Sequence, residues 1–154
     1  MRHATCTLRV MIRKLSTGQS RTGASAPSNT SSTGTEMKAK AYVKVGCPFS
    51  FKFLTFMAEA MLLDEIEIVR MQEGDPNYEP TKQKLAEHLG KPPSFPTVEV
   101  EPNRYMTDSD RLIEHYAKLE GLRPDDMPVF SLYKQGIFPK LIELHKLKTA
   151  GAKA

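Results

Sequence analysis

The sequence has no tryptophan and only two cysteines, Cys6 and Cys47. Two thiols, one of them in an N-terminal stretch unlike the rest of the chain, make no disulfide framework. They fit a reducing compartment, where a lone thiol can be a working group. No run approaches the roughly 18 consecutive apolar residues of a membrane span, and no membrane partner is expected. The histidines His3, His88, His115 and His145 are scattered without the spacing of a metal-ligand pair, so no metal site is expected. A glycine-rich phosphate loop of the P-loop or Rossmann kind is also missing. Acidic residues are absent before Glu36, whereas Arg2, Arg9, Arg13, Lys14 and Arg21 supply five positive charges there. Removing those five from the formal charge of +4 leaves −1 for the remainder. The globular part is close to neutral, and a nucleic-acid partner loses its electrostatic support.

Residues 1–36 read as a separate unit. Its first part is basic, with Leu8, Val10, Met11, Ile12 and Leu15 scattered among the charges, and residues 16–35 are mostly Ser, Thr, Gly and Ala. This is the composition of an organelle transit peptide. Arg13-Lys14-Leu15-Ser16 also resembles a mitochondrial presequence cleavage site, with an arginine three residues before the cut and a serine after it. A mitochondrial location is expected, with plastid or cytoplasm as alternatives. The plainer alternatives are a disordered extension, or upstream sequence before an initiator at Met37.

From residue 38 the pattern becomes that of packed elements. Residues 38–45 read as a strand. Phe53, Leu54, Met57, Ala58 and Met61 at helical spacing predict a helix from near Pro48 to about residue 62. Residues 66–70 alternate as a second strand, and Gly74-Asp75-Pro76 is a turn cluster. Residues 80–89 form a polar-faced helix with Leu85, Ala86 and Leu89 inward, stopped by Gly90. A loop, Lys91-Pro92-Pro93-Ser94-Phe95-Pro96, precedes a short strand at 97–100, a turn at Pro102-Asn103 and a brief strand at Tyr105-Met106. Thr107-Asp108-Ser109-Asp110 offers several N-cap residues for a helix over 109–119, with Leu112, Ile113, Tyr116 and Leu119 inward and Gly121 ending it. The last segment, 127–147, has helical spacing through Leu132, Ile137, Leu141 and Leu144, interrupted by Gly136 and Pro139, so two shorter helices or a kink are predicted.

A helical crossover makes the first two strands parallel, and the third and fourth are too close for anything but an antiparallel hairpin. The expected fold is α/β, a four-stranded mixed sheet with flanking helices. Cys47 then stands at the carboxyl end of the first strand, where open α/β sheets place their ligands. It also stands at the start of a helix, where free N–H groups and the helix dipole favour an anion. Pro48 suits the first helical turn, where its missing N–H is of no consequence. Lys44, three residues earlier, can add a positive charge, and Ser50 can donate a hydrogen bond from the first turn. Ser50 stands where a dithiol protein would carry the second cysteine of a C-x-x-C. The simpler alternatives are a buried inert cysteine and a solvated lysine.

Three stretches carry a resemblance to a known group. Lys44-x-x-Cys47-Pro48-Phe49-Ser50 resembles the active-site turn of glutaredoxins with serine at the second cysteine position. Phe95-Pro96-Thr97-Val98 resembles the segment around the cis-proline that faces that turn. Thr107-Asp108-Ser109-Asp110-x-Leu112-Ile113-x-x-Tyr116 resembles the acidic-Ser motif by which glutathione transferases hold the γ-glutamyl end of glutathione. Residues 37–122 are thus similar to the thioredoxin-like glutaredoxin and glutathione S-transferase N-terminal group, of the single-domain monothiol type, followed by a short C-terminal helical extension over 123–154. The large helical second domain of full glutathione transferases has no counterpart in the roughly 30 residues after Gly121.

The resemblance implies glutathione as co-substrate. Cys47 and Ser50 are the implied catalytic residues. Lys44, Phe49, Phe95, Pro96, Asp108 and Ser109 would bind glutathione: Lys44 at the glycyl carboxylate, the Phe95 backbone along the cysteine moiety, Asp108 and Ser109 at the γ-glutamyl end. Without the resemblance, Pro96 is an ordinary proline at a strand start, and Asp108 and Ser109 are helix caps. Implied partners are glutathione and glutathionylated or small electrophilic substrates. The implied activity is that of a thiol–disulfide oxidoreductase or a minimal glutathione transferase. The alternative is a non-catalytic glutathione-binding or interaction module of the same fold, with Phe130, Tyr133 and Phe138 as a docking surface. A glutathione-bridged iron–sulfur carrier is disfavoured, because the monothiol proteins that carry clusters usually have glycine where this chain has Pro48.

Overall fold

The computed structural model describes residues 38–151; the expected targeting stretch, 1–36, lies outside them. The first strand, β1 (Ala39–Lys44), runs into helix α1 (Pro48–Glu59) through a turn at Gly46, whose φ of +76° is a conformation that glycine takes without steric penalty. Pro48 opens α1 with its φ already helical. The helix stops at Glu59, three residues before the expected end. Met61 turns left-handed at φ 58°, and the Leu62 N–H folds back onto the Met57 carbonyl at 2.8 Å. That cap turns Leu62 into the core and leaves Met61 in solvent.

A single 3-10 turn (Leu63–Glu65) leads to β2 (Ile66–Met71), parallel to β1 in the register Ala41↔Ile68 and Val43↔Arg70. Helix α2 (Tyr78–Leu89) crosses to β3 (Thr97–Glu101), which forms the expected hairpin with β4 (Arg104–Thr107). Helix α3 (Ser109–Glu120) follows and ends at Gly121. The sheet order is β2-β1-β3-β4, with β3 antiparallel to β1. This four-stranded mixed sheet with flanking helices is the thioredoxin-like arrangement.

Alternation along the strands sorts the two faces. Ala41 and Val98 turn toward α1 and α3 and join Phe53, Phe56, Met57, Leu112, Ile113 and Tyr116 in the core. Tyr42, Glu99 and Tyr105 lie on the other face, where His88 of α2 stacks on Tyr105 at 5.0 Å.

After a 3-10 turn (Pro124–Asp126), α4 (Pro128–Leu132) and α5 (Phe138–Gly151) are joined by a π-helical turn (Tyr133–Ile137). The predicted interruption is therefore a widened turn. Pro139 has no N–H for the helical ladder, and the π turn places the irregularity just ahead of it. Phe130 packs edge-on against Phe56 at 5.6 Å. The Glu59 carboxylate accepts the N–H groups of Val129 (3.0 Å) and Phe130 (2.5 Å), so α1 caps α4. Among the described residues no helix is long and apolar enough to cross a membrane.

Candidate functional site

The register gathers three distant segments at one edge of the sheet. Tyr42 is opposite Thr97, and Thr97 is opposite Thr107. The end of β1, the start of β3 and the end of β4 therefore lie side by side, and with them Cys47, Phe95-Pro96 and Asp108-Ser109. Cys47 is the N-cap residue of α1, in extended backbone geometry, and its carbonyl accepts the first helical bond from Phe51 at 3.1 Å. Its side chain is half-buried and free. The Phe95–Pro96 peptide is cis, and the Cys47 Sγ donates to the Phe95 carbonyl at 3.5 Å.

Ser50 is buried, and its Oγ accepts the Lys44 N–H at 3.1 Å. It ties the turn to the strand it left. The Lys44 ammonium leaves the thiol and pairs with Glu73 at 2.5 Å, near the Tyr78 ring. That hydrogen bond raises the lysine above its ordinary value against the smaller opposing effect of burial, and it holds the exposed Glu73 carboxyl below its own. Phe49 meets Phe138 edge-on at 5.7 Å, which brings α5 over the first turn of α1. Asp108 caps α3, accepting the N–H groups of Asp110 (2.8 Å) and Arg111 (3.3 Å) from a backbone φ of 81°. Ser109, beside it, is buried.

Beyond the thiol opens a cavity of about 490 Å³, bounded by Val43, Val45, Cys47, Phe51, Leu54, Ile68 and Leu141. Apart from the rim residues Arg70 and Lys44 its surroundings are almost wholly apolar. Among the described residues, no three His, Cys, Asp or Glu side chains gather to hold a metal ion.

Solved structures similar to part of this chain include two. One is glutaredoxin 2 from Salmonella typhimurium in complex with glutathione, with a TM-score of 0.45 and 19% identity over 56% of this chain and 35% of that one. The other is glutathione transferase Omega 2C from Trametes versicolor, with a TM-score of 0.39 and 18% identity over 65% of this chain and 42% of that one. The chain thus matches less than half the length of either. No family model and no curated protein matches the sequence.

Two residues at this edge were not expected. Lys52 is 3% exposed, yet its ammonium lies 2.8 Å from both Asp110 oxygens and 4.5 Å from the Phe138 ring centre. The signal was its position one turn before Phe56, on the buried face of α1. Tyr133 is the second; its ring lies edge-on to Phe51 at 5.4 Å. Phe130 and Tyr133 are buried, which removes both from any docking surface.

Proposed function

We propose that the chain is a glutathione-dependent thiol–disulfide oxidoreductase working through Cys47 alone, with a minimal glutathione transferase as the related activity of the same thiol. The observation that supports this most is the placement of the Cys47 sulfur at the N-terminus of α1, against the Phe95 carbonyl of the cis peptide. In the proposed cycle the Cys47 thiolate attacks the glutathionyl sulfur of a mixed disulfide. The S–S bond breaks, a Cys47–glutathione disulfide forms, and the substrate leaves as a thiolate that takes a proton from water. A second glutathione thiolate then attacks the glutathionyl sulfur, releases Cys47 and yields glutathione disulfide. One cysteine suffices, so Ser50 serves by holding the turn.

Glutathione would lie across the edge described above. The Phe95 backbone pairs with its cysteine moiety, Ser109 and the first turn of α3 receive the γ-glutamyl carboxylate, and Asp108 faces the ammonium. Phe49 flanks it, and Lys44 reaches its glycyl carboxylate only by exchanging Glu73. The apolar cavity takes the apolar flank of the leaving substrate. The test is incubation of the whole chain with a glutathione mixed disulfide, followed by intact mass and turnover. One glutathione adduct at Cys47 is expected, with turnover falling about a hundredfold or more in Cys47→Ser. Absence of both adduct and turnover in the unmutated chain would overturn the reading.

A further inference from the structure

We propose that the apolar cavity beside Cys47 is a site for a single-chain aliphatic carboxylate, with the chain in the cavity and the carboxylate on Arg70. The site itself stands on the cavity and its charge; the role of that molecule as the leaving thiol of the cycle rests on the monothiol reading above.

Strand β2 is the edge of the sheet. In its register with β1, Ile68 is level with Ala41 and Arg70 with Val43. Ala41 and Val43 are buried, and partners level with them share their face. Ile68 and Arg70 therefore stand on the α1 side of the edge strand, and both bound the cavity. Helix α1 supplies Phe51 and Leu54 to the same wall. Yet Val45 is 46% exposed, Phe51 56% and Ile68 40%. Large apolar side chains left in water around one concavity mark a binding surface. The volume, about 490 Å³, falls within the roughly 300–1,000 Å³ of small-molecule sites.

Charge narrows the occupant. Arg70 is exposed and forms no ion pair among the described residues. Lys44, the other cation bounding the cavity, is held by Glu73. One guanidinium is thus left for one negative charge. Its planar fork donates two parallel hydrogen bonds to a carboxylate, and apolar surroundings strengthen the pair. A phosphate monoester would bring a second charge with no second free cation to meet it. Cys47 lies past the end of β1, beyond Val43, which is level with Arg70. Thiol and guanidinium thus bound the cavity at different points, and a chain with sulfur at one end and carboxylate at the other spans them. The substrate class is then an ω-mercapto fatty acid carried as its disulfide with glutathione. Attack of the Cys47 thiolate on the glutathionyl sulfur breaks the S–S bond, and the acid leaves as a thiolate that takes a proton from water.

The experiment has a binding arm and a turnover arm, both on the whole chain. Calorimetry measures decanoate and decanol binding to the unmutated chain, Arg70→Gln, Arg70→Lys and Ile68→Glu. Arg70→Gln is expected to weaken decanoate about tenfold, the loss of a hydrogen-bonded charge pair, with decanol binding level. Arg70→Lys should keep part of the difference, because the charge stays and the fork is lost. Ile68→Glu, which sets a carboxylate in the wall, should weaken both ligands. Absence of decanoate binding, or equal decanoate affinity in Arg70→Gln, would overturn the proposal. So would binding to phosphatidylglycerol vesicles, or self-association through this face, in place of decanoate binding. The turnover arm compares the glutathione disulfides of ω-mercaptooctanoate and octanethiol. The acid is expected to be preferred about tenfold in kcat/KM, and the preference to vanish in Arg70→Gln. Turnover of both disulfides without preference would overturn the substrate class. No turnover of either, with decanoate still bound through Arg70, would defeat the monothiol cycle and uphold the site.

Discussion

Lys52 and Asp110 form an ion pair with unequal halves. The lysine is 3% exposed, and the aspartate side chain is 73% exposed. Removing either partner breaks the same contacts but leaves different remains. Asp110→Asn strands an ammonium inside the protein, between the rings of Phe49 and Phe138; loss of one partner from a buried pair is expected to destabilise by about 3 kcal/mol. Lys52→Met keeps most of the stem volume and returns a surface carboxylate to water, with an expected loss of about 1 kcal/mol or less. Urea midpoints of the two variants check this, and equal losses would mean that Lys52 is better hydrated than its burial indicates. The pair links the N-terminal turns of α1 and α3, the two helix ends at the candidate site. In sequence Lys52 carries one mark of this, its place one turn before Phe56 on the buried face of α1, and Asp110 carries none.

The C-terminal helices depend on α1. Helix α4 has five residues, too few to stand without tertiary support, and its first N–H groups are received by Glu59. Glu59→Ala removes that cap and is expected to destabilise by about 1–2 kcal/mol. Hydrogen exchange should then rise first in α4 and α5, while β1 and β3 keep their protection; uniform loss across the sheet would contradict the placement. The strands were legible because alternation and turn residues mark them locally. The last segment was legible in extent and misleading in its faces. Leu132, Ile137 and Leu144, which carry the helical spacing, are exposed, and Phe130 and Tyr133 are buried instead. The π turn adds a residue to the turn and rotates everything beyond it, so a single 3.6-residue period cannot describe both sides. Leu119 failed differently: α3 buries Ala117 on that flank and ends before Leu119 finds a neighbour.

At the scale of the molecule, connection lengths dictated the topology, and the topology put Cys47, Pro96 and Ser109 at one edge before any side chain was placed. Pairings that join two loops or two helices, such as Lys44 with Glu73, escaped because they depend on how the connections fold back. The same whole-molecule packing sets the response to alkali. Burial, then the nearby Glu99 charge, push Tyr105 up to about 12. Tyr42 is raised by burial, Glu99 and Glu67, Tyr116 by burial, and Tyr133 by burial and Cys47. In the unfolded chain all of them titrate near 10, about the ordinary tyrosine value. The folded state thus holds more protons between pH ~10 and ~12, and stability must fall with rising pH across that window. Each raised group contributes fully below its unfolded value and is lost as pH passes its folded one; Lys44, also raised, acts in the same direction. The expected result is a melting temperature that is flat from neutral pH to about 9 and declines steeply above about 10. Because the chain has no tryptophan, near-ultraviolet absorbance follows tyrosinate without interference. The signal of Tyr42, Tyr105, Tyr116 and Tyr133 should arrive mostly with unfolding rather than before it, and these four titrating together near pH 10, about the ordinary value, in a still-folded protein would show that they are not held as described.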